Sequence, residues 1–194
     1  MIIYFEGPDG SGKSTLLTAI DNDLINKGYD VDPQANRFIP THPKAEKRVS
    51  ERELFRQLKR MAKDNSTVYL IDRGPISDII YRVFDDYKPV TTPRRVVDFI
   101  TSHMFNTITI YCRTDLAEQK MLERGDENPI AIQRHKEITK LYDLFMNGVI
   151  CPDIQFYYSK KNSLRTVMKY VEKWVKINCS HNREKVYDSA KKIC

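Results

Sequence analysis

The sequence predicts an α/β protein: a five-stranded parallel sheet with helices on both faces, in one domain. Short apolar segments with strand character alternate with segments of helical periodicity along the chain. This alternation favours a parallel sheet, because each crossover between parallel strands uses a helix that then covers one face. A length of 194 residues suits a single domain with a sizeable core. We find no internal repeat, low-complexity stretch or linker.

Five segments are predicted strands, each apolar and followed by polar or glycine-rich residues. The first runs directly into a glycine-rich stretch that starts at Gly7, and the third ends at Asp72. The second is weaker than the others. The predicted strands cover residues 1–6, 29–32, 67–71, 107–112 and 154–158.

The segments between the strands have apolar residues every three or four positions, the spacing of one buried helix face. Gly28 is expected to end the first helix, and Gly148 to end the helix before the last strand. Ser50 and Glu53 form a capping box, and Pro75 suits the first turn of a helix. The predicted helices cover residues 13–27, 51–63, 94–104 and 115–123, a segment that begins at 75, one that includes 138–145 and one that includes 164–175.

The composition, 41% apolar and 30% charged, is that of an ordinary globular protein. The chain has no run of about 18 apolar residues and no signal-peptide pattern, so we expect no membrane span and a cytoplasmic location. The four cysteines form no close pair and no metal-ligand pattern. We therefore interpret them as free thiols in a reducing compartment.

The net charge of +6 is concentrated at the C-terminal end. The last 44 residues hold 10 Lys and Arg against 4 Asp and Glu, whereas the first 150 residues are neutral overall. A basic end can contact nucleic acid, and it can equally be a solvated helix face with a tail. We divide the chain into a domain of residues 1–178 and a basic tail or helix of residues 179–194.

The segment from Gly7 to Ser14 matches the phosphate-loop pattern, a glycine and four residues followed by Gly-Lys-Ser. Glycines let the backbone curl so that consecutive N–H groups point at phosphates, and the following helix adds its positive end. We expect Lys13 to reach the β- and γ-phosphates and Ser14 to bind Mg²⁺. The sequence thus predicts a site for ATP with Mg²⁺, formed by Gly7, Pro8, Asp9, Gly10, Ser11, Gly12, Lys13, Ser14 and Thr15.

Asp72 and Arg73 follow the third predicted strand. In a doubly wound sheet, ligands bind at the carboxyl ends of the strands, so both side chains should lie near the phosphate loop. An acid at that place can hold Mg²⁺ through water, or it can serve as a general base. Arg73 would then face the phosphates.

These two segments together resemble the thymidylate kinase family and, more loosely, the deoxynucleoside kinases. The family reads F-E-G-x-D-x-x-G-K-S-T in the first segment and D-R-Y-x-x-S-x-x-A-Y-Q in the second. This chain matches the first at residues 5–15, and the second at Asp72, Arg73, Ser77 and Tyr81. The resemblance implies a P-loop nucleotide kinase with a sheet ordered 2-3-1-4-5, which transfers the γ-phosphoryl group of ATP to a nucleotide.

The resemblance also implies where the acceptor lies. Asp9 and Arg73 would lie near it, and Ser77 and Tyr81 would line its pocket. These last two are one helical turn apart and so share a face. The family has a lid with an R-G-D-like sequence, which here is Arg124-Gly125-Asp126. A lid around residues 124–130 would bring Arg124 over the transferring phosphate, with Arg134 as a second candidate.

The acceptor pocket departs from the family pattern. The family's T-R-E-P-G-G-T segment is absent, and Arg37 begins the segment that stands in its place. The tyrosine after Asp-Arg is Gly74 here. The family's base-binding segment can be matched to residues 54–57, where Phe55 would either stack on a base or belong to the core. We count Phe55 and Arg37 among the candidate acceptor contacts.

Three classes of function fit these features. The first is a nucleoside monophosphate kinase, which works by positioning and charge neutralisation. The second is a kinase whose acceptor is a hydroxyl of a nucleoside, of a DNA or RNA 5′ end, or of a hydroxymethylated base in DNA. Asp72 or Asp9 would then act as the base. The third is a nucleotide switch or ATPase module, which no further motif supports. Homodimers are common in the thymidylate kinase family, but no dimer helix can be identified here.

Overall fold

The computed structural model describes residues 1–33, 50–82, 91–113, 115, 119, 123 and 129–179. Within them, one five-stranded sheet has the order β2-β3-β1-β4-β5, and every pair of neighbouring strands is parallel. Both the predicted fold class and the strand order are therefore confirmed. The strands are β1 (Ile2–Glu6), β2 (Asp30–Pro33), β3 (Thr67–Asp72), β4 (Thr107–Arg113) and β5 (Ile154–Tyr157).

The helices connect these strands and match the predicted segments closely. Of the predicted 115–123 helix only single residues are described, and residues 124–128 of the predicted lid lie outside the described ranges. Among the helices that are described, none is long and apolar enough to cross a bilayer. The helices are α1 (Lys13–Asn26), α2 (Glu51–Lys63), α3 (Pro75–Arg82), α4 (Pro93–Ser102), α5 (Pro129–Phe145) and α6 (Ser163–Asn178).

Helix α5 continues into a π-helical turn, Met146–Ile150. Gly148 lies inside this turn, so the prediction that it ends the helix is wrong. The chain leaves the helix at Cys151, which has a left-handed φ of 50° and donates its N–H to the carbonyl of Met146 at 3.0 Å. A glycine is the usual left-handed residue at a helix end, but here a cysteine takes that conformation.

The sheet is covered on both faces, and β1 supplies side chains to each. Ile3 and Phe5 face the layer formed by α1 and α6, while Ile2 and Tyr4 face the layer that includes α2 and α4. A third buried cluster joins α3 to α5 around Tyr142. Burial on both faces explains why β1 is entirely buried and continuously apolar up to Glu6.

Strand register brings the functional segments together. Phe5 of β1 pairs with Asp72 of β3, and Glu6 pairs with Tyr111 of β4. The loop after β1 and the turn after β3 therefore leave the sheet side by side, at its carboxyl edge. Ligands of doubly wound sheets bind at this edge.

Candidate active site

The loop from Gly7 to Ser14 packs tightly against the ends of β4 and β5. Gly7, Gly10 and Gly12 have φ values of 145°, 71° and 81°, a region that side-chain-bearing residues rarely adopt. A Cβ at Gly7 would strike the carbonyl of Cys112, and one at Gly12 would strike the ring of Tyr158. Glycine is therefore required at both positions by conformation and by space.

Lys13 is buried and its ammonium lies inside the curl of this loop. The Nζ atom donates hydrogen bonds to the carbonyls of Gly7 at 2.8 Å and Pro8 at 2.7 Å. Helix α1 begins at this lysine, so the N-terminal end of the helix dipole points at the same place. The charge of Lys13 and the helix dipole together favour an anion at this place.

Asp72 lies beside Ser14, and that the two hold one cation stays a prediction. The Ser14 hydroxyl donates to Oδ2 of Asp72 at 3.3 Å. The other oxygen, Oδ1, is buried and has no hydrogen-bond partner among the described residues. Burial raises the pKa of Asp72, although the charge of Lys13 and the Ser14 hydrogen bond oppose that rise. An oxygen pair of this kind, completed by phosphate and water, fits Mg²⁺.

A small cavity of about 80 Å³ joins these groups. It lies between the phosphate loop and the turn after β3, so most of the residues expected around the phosphates do meet in one place. Its lining consists of Asp9, Gly10, Gly12, Lys13, Ser14, Thr15, Asp72 and Arg73.

Arg73 is held by Asp9 and Tyr81. Its guanidinium forms an ion pair with Asp9 and lies 4.6 Å from the centre of the Tyr81 ring. The Tyr81 hydroxyl donates to the second oxygen of Asp9 at 2.9 Å. Arg73 itself has a left-handed φ of 64°, unusual for a residue with a side chain. Three contacts thus fix a positive charge next to the phosphate loop.

Ser77, which was predicted to line the acceptor pocket, is buried in the interior of the protein. Its side chain is fully buried; the hydroxyl donates to Glu6 and lies 2.6 Å from the Tyr142 hydroxyl. Glu6 also accepts the backbone N–H groups of Ile76 and Ser77, both at 3.2 Å, and so caps α3. That Ser77 contacts the acceptor stays a prediction, but its hydroxyl is already engaged.

Glu6 lies beside these site residues, although it is not among the predicted ones. Burial raises its pKa to about 7, and the hydrogen bond from Ser77, the charge of Lys13 and the N–H of Ile76 oppose that rise. A carboxylate that directly ends a fully buried apolar strand is the signal that could have identified it. By capping α3, it holds the turn that carries Asp72 and Arg73.

His135 is a second residue of this region that no sequence pattern indicates. It is buried on α5, and its Nε2 lies 2.9 Å from the backbone carbonyl of Asp9. This bond links α5 directly to the phosphate loop, 126 positions earlier in the chain. The neighbouring Arg134, a lid candidate, is exposed.

The remaining candidates are placed elsewhere. Phe55 is half-buried on α2 and packs against Phe99 of α4, with ring centres 5.6 Å apart. It lines a separate groove between those helices instead of the small cavity at the phosphate loop. Arg37 and Arg124 lie outside the described residues, so their roles stay predictions.

Comparisons with known proteins find a kinase relative and solved structures that share the fold. No protein-family model matches the chain. A thymidylate kinase from Geobacillus sp. (strain WCH70) is 24% identical over 205 residues, which cover 94% of this chain and 90% of that protein. This identity supports a kinase, but it does not by itself assign the chain to the thymidylate kinases.

Two solved structures share the fold. The YorR protein from Bacillus subtilis, in complex with phosphorylated GDP, has a TM-score of 0.62 at 21% identity, covering 91% of this chain and 96% of that one. The Mycobacterium tuberculosis APS kinase CysC, in complex with AMPPNP and APS, has a TM-score of 0.51 at 17% identity, covering 90% and 96%. Fold, phosphate loop and relatives together support a phosphotransferase.

Proposed function

We propose that the protein transfers the γ-phosphoryl group of ATP to a nucleoside or deoxynucleoside monophosphate. The observation that carries the proposal is the position of Asp72 and Arg73, directly beside the phosphate loop. Asp72 pairs with Ser14, and the Arg73 guanidinium is fixed by Asp9 and Tyr81. A phosphate acceptor needs no strong base, so charge and positioning suffice. The curated relative named thymidylate kinase supports the same class of acceptor.

In this proposal each residue has one task. The backbone N–H groups of the phosphate loop, Pro8 excepted, and the Lys13 ammonium bind the ATP phosphates. Ser14 and Asp72 hold Mg²⁺, which supplies charge neutralisation at the transferring phosphate. Arg73 orients the acceptor phosphate, and Arg124 of the lid would add a second positive charge. Glu6, through α3, keeps the Asp72-Arg73 turn in place.

A kinase with a hydroxyl acceptor is the second candidate. One observation favours it: Asp72 has a buried oxygen without a described partner and a raised pKa, both suited to a base that accepts a proton. The nucleoside, a 5′-hydroxyl end and a hydroxymethylated base are the acceptors of this class. The two candidates use the same phosphate loop and differ only in what reaches Arg73 and Asp72.

An acceptor screen distinguishes the candidates. Purified protein is incubated with γ-labelled ATP and Mg²⁺ and with each dNMP and NMP, each nucleoside, 5′-hydroxyl oligonucleotides, and DNA with hydroxymethylated bases. The Lys13→Ala variant reports contaminating kinases. Label on a monophosphate supports the proposal, whereas label only on a hydroxyl replaces it with the second candidate. ATP hydrolysis without transfer to any acceptor would contradict both.

A further inference from the structure

A groove of about 780 Å³ runs between α2 and α4, apart from the phosphate loop. Its floor is aromatic: the rings of Phe55 and Phe99 are 5.6 Å apart, and His103 stacks on Phe99 at 4.4 Å. Phe55 and His103 are only half-buried, so parts of both rings face solvent. The complete lining is Glu51, Arg52, Phe55, Arg56, Lys59, Arg95, Asp98, Phe99, Ser102 and His103.

The two helices that form the groove are strongly basic. Helix α2 carries five Lys and Arg against two Glu, and α4 carries two Arg against one Asp, which gives a net charge of +4 for the pair. The groove lining itself holds four Lys and Arg against two acidic residues, Glu51 and Asp98. The first 150 residues of the chain are neutral overall, so this is a local concentration of positive charge. Its residues are separate in the sequence from the basic C-terminal tail, residues 179–194.

The positive side chains form a row instead of a cluster. Arg52, Arg56 and Lys59 line the groove at helical spacing on α2, and Lys63 continues their row beyond the groove lining; all four are exposed. The row extends over about 16 Å, at about 1.5 Å per residue. Arg56 is paired with Glu53 and Arg95 with Glu51, whereas Arg52 and Lys59 have no ion-pair partner among the described residues. A single phosphate group would need convergent donors, whereas a row suits a chain of phosphates.

We propose that this groove binds single-stranded nucleic acid. Positive side chains along a groove with aromatic rings on its floor are the two features with which proteins hold single strands without reading sequence. Helix α2 precedes β3 and helix α4 precedes β4 in a sheet of parallel β-strands, so both helices begin at the carboxyl edge of the sheet, where the phosphate loop lies. A nucleic-acid strand bound in the groove therefore has one end near the candidate active site.

Binding is tested without any phosphoryl transfer, so this proposal can fail or succeed independently of the proposed function. Fluorescence anisotropy of labelled dT and rU oligonucleotides of about 12 nucleotides is measured over a series of salt concentrations. The wild type is compared with Arg52→Gln/Lys59→Gln and with Lys169→Gln/Lys173→Gln. The second pair removes the same charge from exposed positions on α6, on the opposite face of the sheet.

The expected result follows from counterion release. Each phosphate contact to a single strand adds about 0.7 to the slope of log affinity against log salt, so the groove variant should lower the slope by about 1.4. At about 0.1 M salt this corresponds to a loss of about 25-fold in affinity, if both contacts are purely electrostatic. The α6 variant should bind as the wild type does.

Three outcomes would overturn the proposal. If both double variants weaken binding equally, the oligonucleotide is held by the net charge of the protein and not by the groove. If a mononucleotide displaces the oligonucleotide at equal concentration, the groove is a small-ligand site. If no oligonucleotide binds at about 50 mM salt, where electrostatic binding is strong, the groove does not hold nucleic acid. Thermal unfolding confirms that each variant is folded.

Discussion

Asp9 accepts hydrogen bonds from two side chains, and these differ in what they can contribute to catalysis. Arg73 carries a charge, whereas Tyr81 contributes one hydrogen bond and a ring beneath the guanidinium. We expect Arg73→Ala to lower kcat/KM by about 100-fold or more, as the loss of a preorganised charge does. Tyr81→Phe keeps the ring but loses a hydrogen bond worth about 1 kcal/mol, so kcat/KM should fall about fivefold. Steady-state kinetics with the acceptor found in the screen measure both.

The difference in kcat/KM between Arg73→Ala and Tyr81→Phe tests the role of the guanidinium. Equal losses would show that the guanidinium acts only as part of a structural cluster with Asp9. Arg73→Lys is the matched control for charge, because it keeps the positive charge but loses the planar fork that contacts Asp9. It should fall between the other two variants.

Glu6 predicts a pH dependence of stability. Its pKa is raised from 4.5 to about 7 in the folded protein. Between these values the folded state binds the proton more strongly than the unfolded state, so the contribution of Glu6 is largest below pH 4.5 and declines as pH rises to about 7. The full decline is on the order of 3 kcal/mol. Urea unfolding of the wild type and of Glu6→Gln between about pH 5 and pH 8 measures it.

Glutamine keeps the shape of Glu6 and cannot ionise, so the difference between the two proteins isolates this one group. We expect the wild type to lose stability relative to Glu6→Gln as pH rises, and the difference to become constant above about pH 7. Parallel curves over the whole range would mean that Glu6 titrates with an ordinary pKa.

The residues of the site differ in how far the sequence could predict them. Lys13 and Ser14 belong to one contiguous motif, and Asp72 ends a strand that neighbours β1, so periodicity and a motif bring them together. The contact of Glu6 with Ser77 spans 71 positions, and that of Ser77 with Tyr142 spans 65. No local pattern encodes such pairs, because each side chain alone reads as an ordinary polar residue.

At the scale of the element, α3 is placed by the turn before it. A Cβ on Gly74 would lie 2.9 Å from Oε1 of Glu6 and would also strike the ring of Tyr4; both side chains are fully buried. This explains why the tyrosine of the related D-R-Y motif has no room here. We expect Gly74→Ala to destabilise the protein by about 1–3 kcal/mol, the usual cost of overpacking. Thermal and urea unfolding measure the loss.

Gly148 offers the matched control in another helical element. An added Cβ there meets nothing within 4 Å, and its φ is not left-handed. Gly148→Ala should therefore leave stability unchanged or raise it by up to about 1 kcal/mol. Destabilisation by both substitutions would show that the crowding at Gly74 is not the cause.

The elements themselves were largely predictable, and the exception has a clear reason. Apolar spacing located α2 at its observed bounds, because one face of that helix is buried and the other is charged. The same pattern could not show that α5 widens into a π-helical turn. A glycine normally signals the end of a helix, but the backbone leaves this one at Cys151, whose identity carries no such signal.

At the scale of the whole molecule, the parallel sheet brings the phosphate loop, the Asp72-Arg73 turn and the ends of β4 and β5 to one edge. The alternation of strands and helices predicted a parallel sheet, but only the resemblance to a kinase family supplied the order 2-3-1-4-5. Periodicity carries no information about which strands are neighbours. The groove between α2 and α4 was equally hidden, because it requires two helices 30 to 40 positions apart to pack side by side.

Because ligands at this edge contact several segments at once, nucleotide binding should stabilise the whole domain. A ligand at about 100 times its Kd adds about 2.7 kcal/mol. For a domain of this size, this raises Tm by about 5–11 °C. We expect that shift with a non-hydrolysable ATP analogue and Mg²⁺, and a smaller one when EDTA replaces Mg²⁺. Lys13→Ala should abolish the shift, whereas Asp72→Asn should abolish only its dependence on Mg²⁺. An unchanged shift in Lys13→Ala would place the nucleotide outside the phosphate loop.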